Sequence, residues 1–281
     1  MPHESTASYI NRLADTYRLD SRELLEGIGI TIHGRPAGTP GSSEIALSPA
    51  ALHHVAAFAR VLDLHLALGK TVHGATGPSP GHPTAHWRPL DPAYQPTRTC
   101  PQCTLRHTHG TISQAWAYHA EHRRLCPQHH QWATPPGDRA SLDTRALPEL
   151  AQAHHAHRRL VRRPDTTAYQ WARSITTRWY DHQRHLTQRW HNRLTRLAGT
   201  NPPPTGSTSW ARTSRDAVTY PETVALARHL GRTPRGQTGT GTGFLDQTAH
   251  ALGLDRLVLP PDDLLRAWID TKQERPRHHC L

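Results

Sequence analysis

The chain has 281 residues, enough for one large domain or two to three small ones, and 35% of them are hydrophobic. That fraction, together with 24 prolines, favours several small helical modules over one large core. No run of 18 apolar residues and no basic start followed by an apolar stretch is present, so we expect a soluble cytoplasmic protein without a membrane partner.

The formal charge is +11, from 33 basic and 22 acidic residues, and 24 histidines add to it as the pH falls. Such an excess favours an anionic partner, most often nucleic acid. DNA is therefore the first partner that we expect, with the protein associated with the nucleoid.

Residues 1–70 are predicted to form an N-terminal helical domain. Apolar residues at helical spacing over 7–19 predict a first helix. A capping box at Asp20 predicts a second helix over Ser21–Glu26, and Pro49 opens a third. Two helices joined by a tight polar turn are typical of a helix-turn-helix, although ordinary helical hairpins share this pattern.

Composition changes predict the remaining modules. Residues 71–99, rich in Gly, Pro, His and Thr, are interpreted as a linker before a zinc-binding module at 100–135. A helical region with a long basic helix follows at 136–199. A Pro-rich hinge at 200–209 leads to a small helical subdomain at 210–281. The fold class is thus mainly α, with several helical modules.

The second half of the chain is predicted to be helical between flexible segments. We expect Gly236–Gly243 to be a flexible loop, and Cys280 to be an isolated exposed thiol. The predicted helices are Leu147–Val161, Thr166–Leu197, Pro221–Leu230, Phe244–Leu252 and Pro261–Ile269.

Three of the four cysteines lie in two similar motifs, Cys100-Pro-Gln-Cys103 and Cys126-Pro-Gln-His129, separated by 22 residues. Paired C-x2-C and C-x2-H motifs are typical of a tetrahedral Cys3His zinc site. Four protein ligands leave no open position, so the single zinc ion is expected to be structural. The fourth ligand stays open at this stage: His129 has the matching spacing, and its rivals are His107, His109, His119, His122 and His130.

An enzyme is the least favoured class. His119-Ala120-Glu121 resembles the H-x-E of zinc deaminases, but those enzymes need a P-C-x-x-C after it, whereas here the C-x-x-C comes before. The sequence contains no H-E-x-x-H, no P-loop lysine motif and no G-x-S-x-G. We therefore predict no catalytic residues.

Most of the positive charge lies between Arg158 and Arg196, where ten arginines accompany two acids. On one long helix, the tryptophans of this segment would form an apolar stripe, which we interpret as core packing. Beside it lies a basic stripe that is predicted to contact nucleic-acid phosphates, with a solvated face as the alternative. Its arginines are Arg178, Arg189, Arg193 and Arg196.

These features together resemble the TniQ family, the transposition-associated targeting proteins of bacterial mobile elements. The opening "ESTASYINRLADTYRLD" is similar to the family's E-S-x-x-S-[YF] start, followed by R-L-A. "CPQC", an aromatic stretch around Trp116 and "CPQHH" follow in the family's order. The resemblance covers residues 3–135 and implies that Cys100, Cys103, Cys126 and His129 ligate the zinc ion.

The resemblance also implies a function in DNA recombination. The family couples a recogniser of the target site to an AAA+ ATPase that loads the transposase, and in some members the recogniser is a guide-RNA effector complex. We therefore expect a non-enzymatic adaptor that binds DNA or a DNA-bound complex. The alternative is a free-standing, zinc-containing transcriptional regulator that reads DNA with its first two helices. The oligomeric state stays open, with a homodimer among the alternatives.

Overall fold

The structure is a computed structural model that describes residues 3–61, 81–91, 94–112, 114–136, 141–162, 167–203, 208–233 and 242–273. The chain divides into two compact units, residues 1–142 and 143–281. The described residues are mainly helical, as predicted. None of the helices within them combines the length and the apolar character that crossing a bilayer requires.

Unit 1 combines helices with short strands. Its helices are α1 (Thr6–Tyr17), α2 (Ser21–Gly27), α3 (Pro49–Ala59) and α4 (Pro101–His107). Its strands are β1 (Thr31–His33), β2 (Ser43–Leu47), β3 (Thr84–Pro89), β4 (Thr97–Arg98), β5 (Trp116–Ala117), β6 (Leu125–Cys126) and β7 (Gln131–Trp132), and β8 (Leu142–Asp143) ends it. They form three small sheets, ordered β1-β3-β2, β4-β5 and β6-β7-β8.

Side-chain caps fix where the first three helices begin. Ser5 Oγ accepts from Ser8 N at the start of α1, and Ser48 Oγ accepts from Ala51 N at the start of α3. The capping box predicted at Asp20 is present with both of its hydrogen bonds. The starts of α2 and α3 were predicted from such local signals, whereas α1 was predicted from its apolar periodicity alone.

The core of unit 1 lies between these helices and the β1-β3-β2 sheet. Ile10, Leu25, Ile45 and Val55 are fully buried there, one from each of four elements. Strand β3 is central: it pairs in parallel with β1 and antiparallel with β2. Residues 84–89, interpreted above as part of a linker, therefore form the middle of the core sheet, while 71–80 lie outside the described residues.

The structure of the first two helices does not confirm the predicted helix-turn-helix. Strand β1, rather than a further helix, follows α2, and the seven residues of α2 bury Leu24 and Leu25. The exposed face of α2 carries Arg22 in an ion pair with Glu26, as well as Glu23. The helix-turn-helix stays a prediction, and this face is poor in positive charge.

The described part of unit 2 is mainly helical. Its helices are α5 (Pro148–Leu160), α6 (Thr167–Asp181), α7 (Thr187–Thr200), α8 (Thr208–Leu230), α9 (Thr242–Leu252) and α10 (Leu264–Gln273). Helix α8 lies at the centre and packs against α5, α6, α7 and α9. The apolar stripe of tryptophans is core packing, as predicted: Trp179 and Trp190 are each 1% exposed.

Three predicted helix boundaries in unit 2 are wrong. One is the start of the last helix, which begins at Leu264 rather than at Pro261. The predicted helix Thr166–Leu197 is two helices, because residues 182–186 leave helical geometry and Gln183 and His185 adopt positive φ. Pro221 does not open a helix but lies inside α8. A proline inside a helix removes one backbone hydrogen bond and costs about 3 kcal/mol. The packing of α8 against several neighbouring helices offsets this cost.

Several sequence features cannot be compared with the structure. Residues 204–207 of the predicted hinge, residues 234–241 and Cys280 lie outside the described residues. Within the predicted loop Gly236–Gly243, only the last two residues are described, and they begin α9.

Candidate metal centre

Four predicted ligands converge in unit 1. The donor atoms of Cys100, Cys103, Cys126 and His129 all lie within 4.8 Å of one another. His129 Nδ1 is 3.3 Å from the Sγ atoms of both Cys100 and Cys103, and 3.6 Å from that of Cys126. The Sγ atoms of Cys103 and Cys126 are 3.7 Å apart. This Cys3His group is positioned to hold a metal ion.

The distances agree with tetrahedral coordination. Zn–S bonds of about 2.3 Å and Zn–N bonds of about 2.0 Å give S···S separations of about 3.8 Å and S···N separations of about 3.5 Å in a tetrahedron. The Cys103–Cys126 sulfur separation of 3.7 Å and the three separations between sulfur and His129 Nδ1, 3.3–3.6 Å, fit a cation of that size. The donor set, three sulfurs and one imidazole, is one that zinc prefers.

Local structure places the two ligand pairs. Cys100 precedes α4 as its N-cap, Pro101 occupies the first helical position, and Cys103 lies in the first turn. Cys126 ends β6, and His129 lies in the turn that leads into β7, where Cys126 pairs with Gln131. One pair therefore belongs to a helix start and the other to a hairpin turn.

The structure selects His129 among the rival histidines. Within the described residues, no other histidine belongs to the cluster. His119 lines a cavity of about 200 Å³ beside it, and burial lowers the pKa of His119 to about 4, with Arg123 and His3 adding to the effect. Glu121 is paired with Arg124 at 3.1 Å. The H-x-E motif thus does not join the metal ligands.

The three cysteine sulfurs alter one another's protonation. A hydrogen bond from Cys100 lowers the pKa of Cys126 to about 4, and the same interaction, with burial, raises the pKa of Cys100. Close thiolates repel one another unless a cation lies between them. A bound metal ion would remove that repulsion and cross-link α4 to the β6–β7 turn.

A buried polar network joins the start of the chain to the metal module. Glu4 is fully buried and accepts two hydrogen bonds from Arg12, at 3.0 and 2.8 Å, and one from Ser8 Oγ at 3.1 Å. Ser8 Oγ in turn accepts from Trp116 N at 2.9 Å, and Ser5 N donates to Trp116 O at 2.9 Å. Glu4, Ser5 and Ser8 of the opening motif therefore contact the segment between the two cysteine pairs, and Arg12 pairs with Glu4 behind them.

A second buried carboxylate, Glu44, also connects the metal module to the N-terminal core, and it was not predicted from the sequence. Glu44 of β2 accepts from Ala7 N at 2.7 Å, from its neighbour Ile45 N at 2.9 Å and from Tyr118 Oη at 2.6 Å. Burial raises the pKa of Glu44, and the hydrogen bond from Tyr118 opposes that rise most strongly. No local motif marks Glu44, because its donors lie up to 74 residues away.

Arg193 is buried within unit 2 and forms ion pairs there. Its side chain is 8% exposed and donates to Glu222 Oε2 at 2.5 Å, to Glu149 Oε1 at 3.0 Å and to Val218 O at 2.8 Å. Trp190 Nε1 also donates to Glu222, at 3.0 Å. The prediction that Arg193 contacts nucleic acid is corrected, because its guanidinium group is paired with the buried Glu222 and the half-buried Glu149.

The other three arginines predicted to contact nucleic acid also make contacts within unit 2. Arg189 donates to the carbonyl oxygens of Leu252 and Gly253, and Arg196 donates to Glu149 at 2.6 Å. Arg178 lies 3.6 Å from Asp262. Nucleic-acid contact by Arg178, Arg189 and Arg196 stays a prediction.

Comparison with known proteins adds no relative: no family model matches the chain, and no curated protein or solved structure matches it.

Proposed function

We propose that this protein is a non-catalytic adaptor in transposition, which binds DNA or a DNA-bound targeting complex and recruits an AAA+ ATPase. One observation supports this most: the opening motif and the Cys3His module, the two features that resemble the TniQ family, pack as one unit through Glu4 and Ser8. Residues that are far apart in the sequence thus serve a single structure.

The proposed metal ion is zinc, and its proposed role is structural. Four protein donors fill a tetrahedron, which is the arrangement of closed zinc sites, whereas catalytic zinc keeps one position for water or substrate. When bound, zinc supplies a cross-link between the α4 start and the β6–β7 turn. This cross-link would hold the surface of the metal module in one conformation for a partner to bind.

The adaptor is favoured over a free-standing DNA-binding regulator by the charge on α2. The regulator would need this helix to approach phosphates, yet its exposed face carries Glu23 and Glu26 with Arg22 already paired. Acidic side chains repel the DNA backbone. A protein partner is more compatible with this surface.

The proposal is tested by co-purification with the AAA+ ATPase encoded beside this protein, with and without DNA. We expect stable association, lost in Cys103→Ser and retained in Cys280→Ser, which changes the cysteine that belongs to neither of the two cysteine motifs. If the wild-type protein does not bind the ATPase but gives sequence-specific DNA footprints, the protein functions as a DNA-binding regulator instead.

A further inference from the structure

Unit 2 contains a basic cavity that the predicted basic stripe does not include. It has a volume of about 340 Å³ and lies between the second half of α5 and the C-terminal end of α8. Its polar lining residues are Gln152, His155, Arg159, Arg228 and Arg232. The described lining carries three guanidinium groups and no carboxylate.

The positions of these residues follow from helix geometry. Gln152, His155 and Arg159 are spaced by three and four residues, so they project from one face of α5. Arg228 lies in the last turn of α8, and Arg232 lies four residues further on, just after that helix ends. Two helices therefore contribute donors to one opening.

These arginines differ from most others in unit 2. Arg173, Arg193 and Arg215, for example, are each within 3.1 Å of a carboxylate oxygen. In contrast, within the described part of the chain no carboxylate lies within ion-pair distance of Arg159, Arg228 or Arg232, and all three side chains are exposed. Within the residues that the structure describes, three exposed positive charges thus lie together without a carboxylate to neutralise them.

We propose that this cavity binds the phosphodiester backbone of DNA. Guanidinium groups donate in pairs to phosphate oxygens, and Gln152 offers a neutral donor. Ala156 and Leu160 add apolar surface on the same wall, against which a deoxyribose can pack. Contacts of this kind position a protein on DNA without reading its sequence.

This inference rests on the DNA-binding part of the proposed function and moves the contact from the predicted stripe to other residues. The cavity is lined by arginines from two helices, so it offers a continuous backbone more than one contact point. The surplus of positive charge over the whole chain, +11, has the sign that such a partner requires.

The test compares two triple variants of the full-length protein. The cavity variant carries Arg159→Gln, Arg228→Gln and Arg232→Gln. The control variant carries Arg212→Gln, Arg256→Gln and Arg266→Gln, three exposed arginines of unit 2 that do not line the cavity. Both variants lose the same charge. Binding to a short duplex of random sequence is followed by fluorescence anisotropy at several salt concentrations.

We expect the cavity variant to bind about ten-fold or more weakly at low salt. The slope of log K against log salt should become shallower by about 2 to 3, since each lost phosphate contact removes about 0.9 from it. The control variant should retain the wild-type slope to within about 1.

Equal losses in the two variants would overturn the inference, since they would show a diffuse attraction without a local site. So would a wild-type protein that binds no duplex, or displacement of the duplex by micromolar inorganic pyrophosphate, which would indicate a small-anion site. The adaptor proposal is judged separately, by association with the ATPase.

Stability is measured in parallel, because arginines near helix C-termini also interact with the helix dipole. If the cavity variant does not fold, the single change Arg232→Gln, beyond the end of α8, replaces it. The expected decrease in slope is then about 1. A folded Arg232→Gln protein with unchanged affinity and slope would contradict the proposal.

Discussion

The hydroxyl group of Tyr118 donates to Glu44 Oε2 at 2.6 Å and connects the metal module to the core sheet of unit 1. Glu44 is 2% exposed, and backbone amides, among them those of Ala7 and Ile45, donate its other hydrogen bonds. A buried carboxylate oxygen that lacks a hydrogen-bond donor is destabilising, because the hydrogen bonds that it made with water are not replaced. This one contact therefore tests whether the module and the sheet fold together.

Tyr118→Phe should lower the free energy of unfolding by about 1–3 kcal/mol at neutral pH, the usual cost of leaving a buried acceptor unsatisfied. The loss should shrink as the pH falls through the raised pKa of Glu44, since a protonated carboxyl group needs fewer donors. Urea denaturation at several pH values measures both effects. Tyr94→Phe, at a side chain that is 59% exposed, is the matched control and should change neither. An equal loss in both variants would show that Glu44 does not depend on Tyr118.

Removal of the metal should destabilise unit 1. Elemental analysis of the purified protein should give about one zinc per chain, since structural zinc is bound tightly. Cys103→Ser should reduce that ratio and lower the melting temperature, because one of the four donors is lost. Cys280→Ser should match the wild-type protein in both measurements. A metal content that is unchanged in Cys103→Ser would rule out the tetrahedral assignment.

Glu222→Gln should destabilise unit 2 by about 3–5 kcal/mol, the typical cost of removing one partner of a buried ion pair. Arg193, 8% exposed in its side chain, would keep its charge with only Glu149 as a carboxylate partner. Asp255→Asn, at an exposed acid of the same unit, has the same charge change and should have little effect. Denaturation followed by tryptophan fluorescence compares them, and similar midpoints would contradict a structural role for Arg193.

The stability of unit 2 should fall in acid because of Asp263. Burial opposes ionisation of Asp263, but the nearby His185 and the hydrogen bonds from Leu265 N and Trp179 Nε1 outweigh it. Together they lower the pKa of this carboxyl group below its ordinary value of 3.8; His185 Nε2 lies 3.9 Å from Asp263 Oδ2. A lowered pKa in the folded state contributes stability above that ordinary value, and the contribution is lost as the pH falls through the lowered pKa. Between pH 5 and pH 2, Asp263→Asn should therefore show a shallower loss of stability than the wild-type protein.

Hydrogen exchange of the α6 and α10 amides measures that difference within unit 2 and separates it from metal release in unit 1. Asp246→Asn, at an exposed aspartate of α9, is the control and should follow the wild-type curve. Parallel pH curves for the wild-type protein and Asp263→Asn would show that this carboxylate is not coupled to folding.

Sequence patterns predicted the features that depend on neighbouring residues. The capping box at Asp20, the proline at the start of α3 and the paired cysteine motifs are all local, and the structure contains each of them. His129 followed from its spacing to Cys126, which repeats the spacing of Cys100 and Cys103. The mainly helical class followed from apolar periodicity.

The features that the sequence did not reveal depend on distant contacts. Strand β3 carries little apolar periodicity, and only its pairing with β1 and β2 makes it a strand. Pro221 indicates a helix start by local rules, yet packing on four helices carries α8 through it. Arg193 belongs to a basic run in the sequence, and its role depends on Glu222 from another helix.

The contact between Ser8 and the Trp116 amide joins residues 108 positions apart. During synthesis, α1 leaves the ribosome long before its partner strand exists, so Glu4 and Ser8 stay hydrated until residues 116–118 have emerged. A fragment that ends at residue 70 would lack both β3 and the Trp116 amide, and would leave Ile45 without its central neighbour. The order of translation thus delays completion of the N-terminal core until the metal ligands themselves are being made.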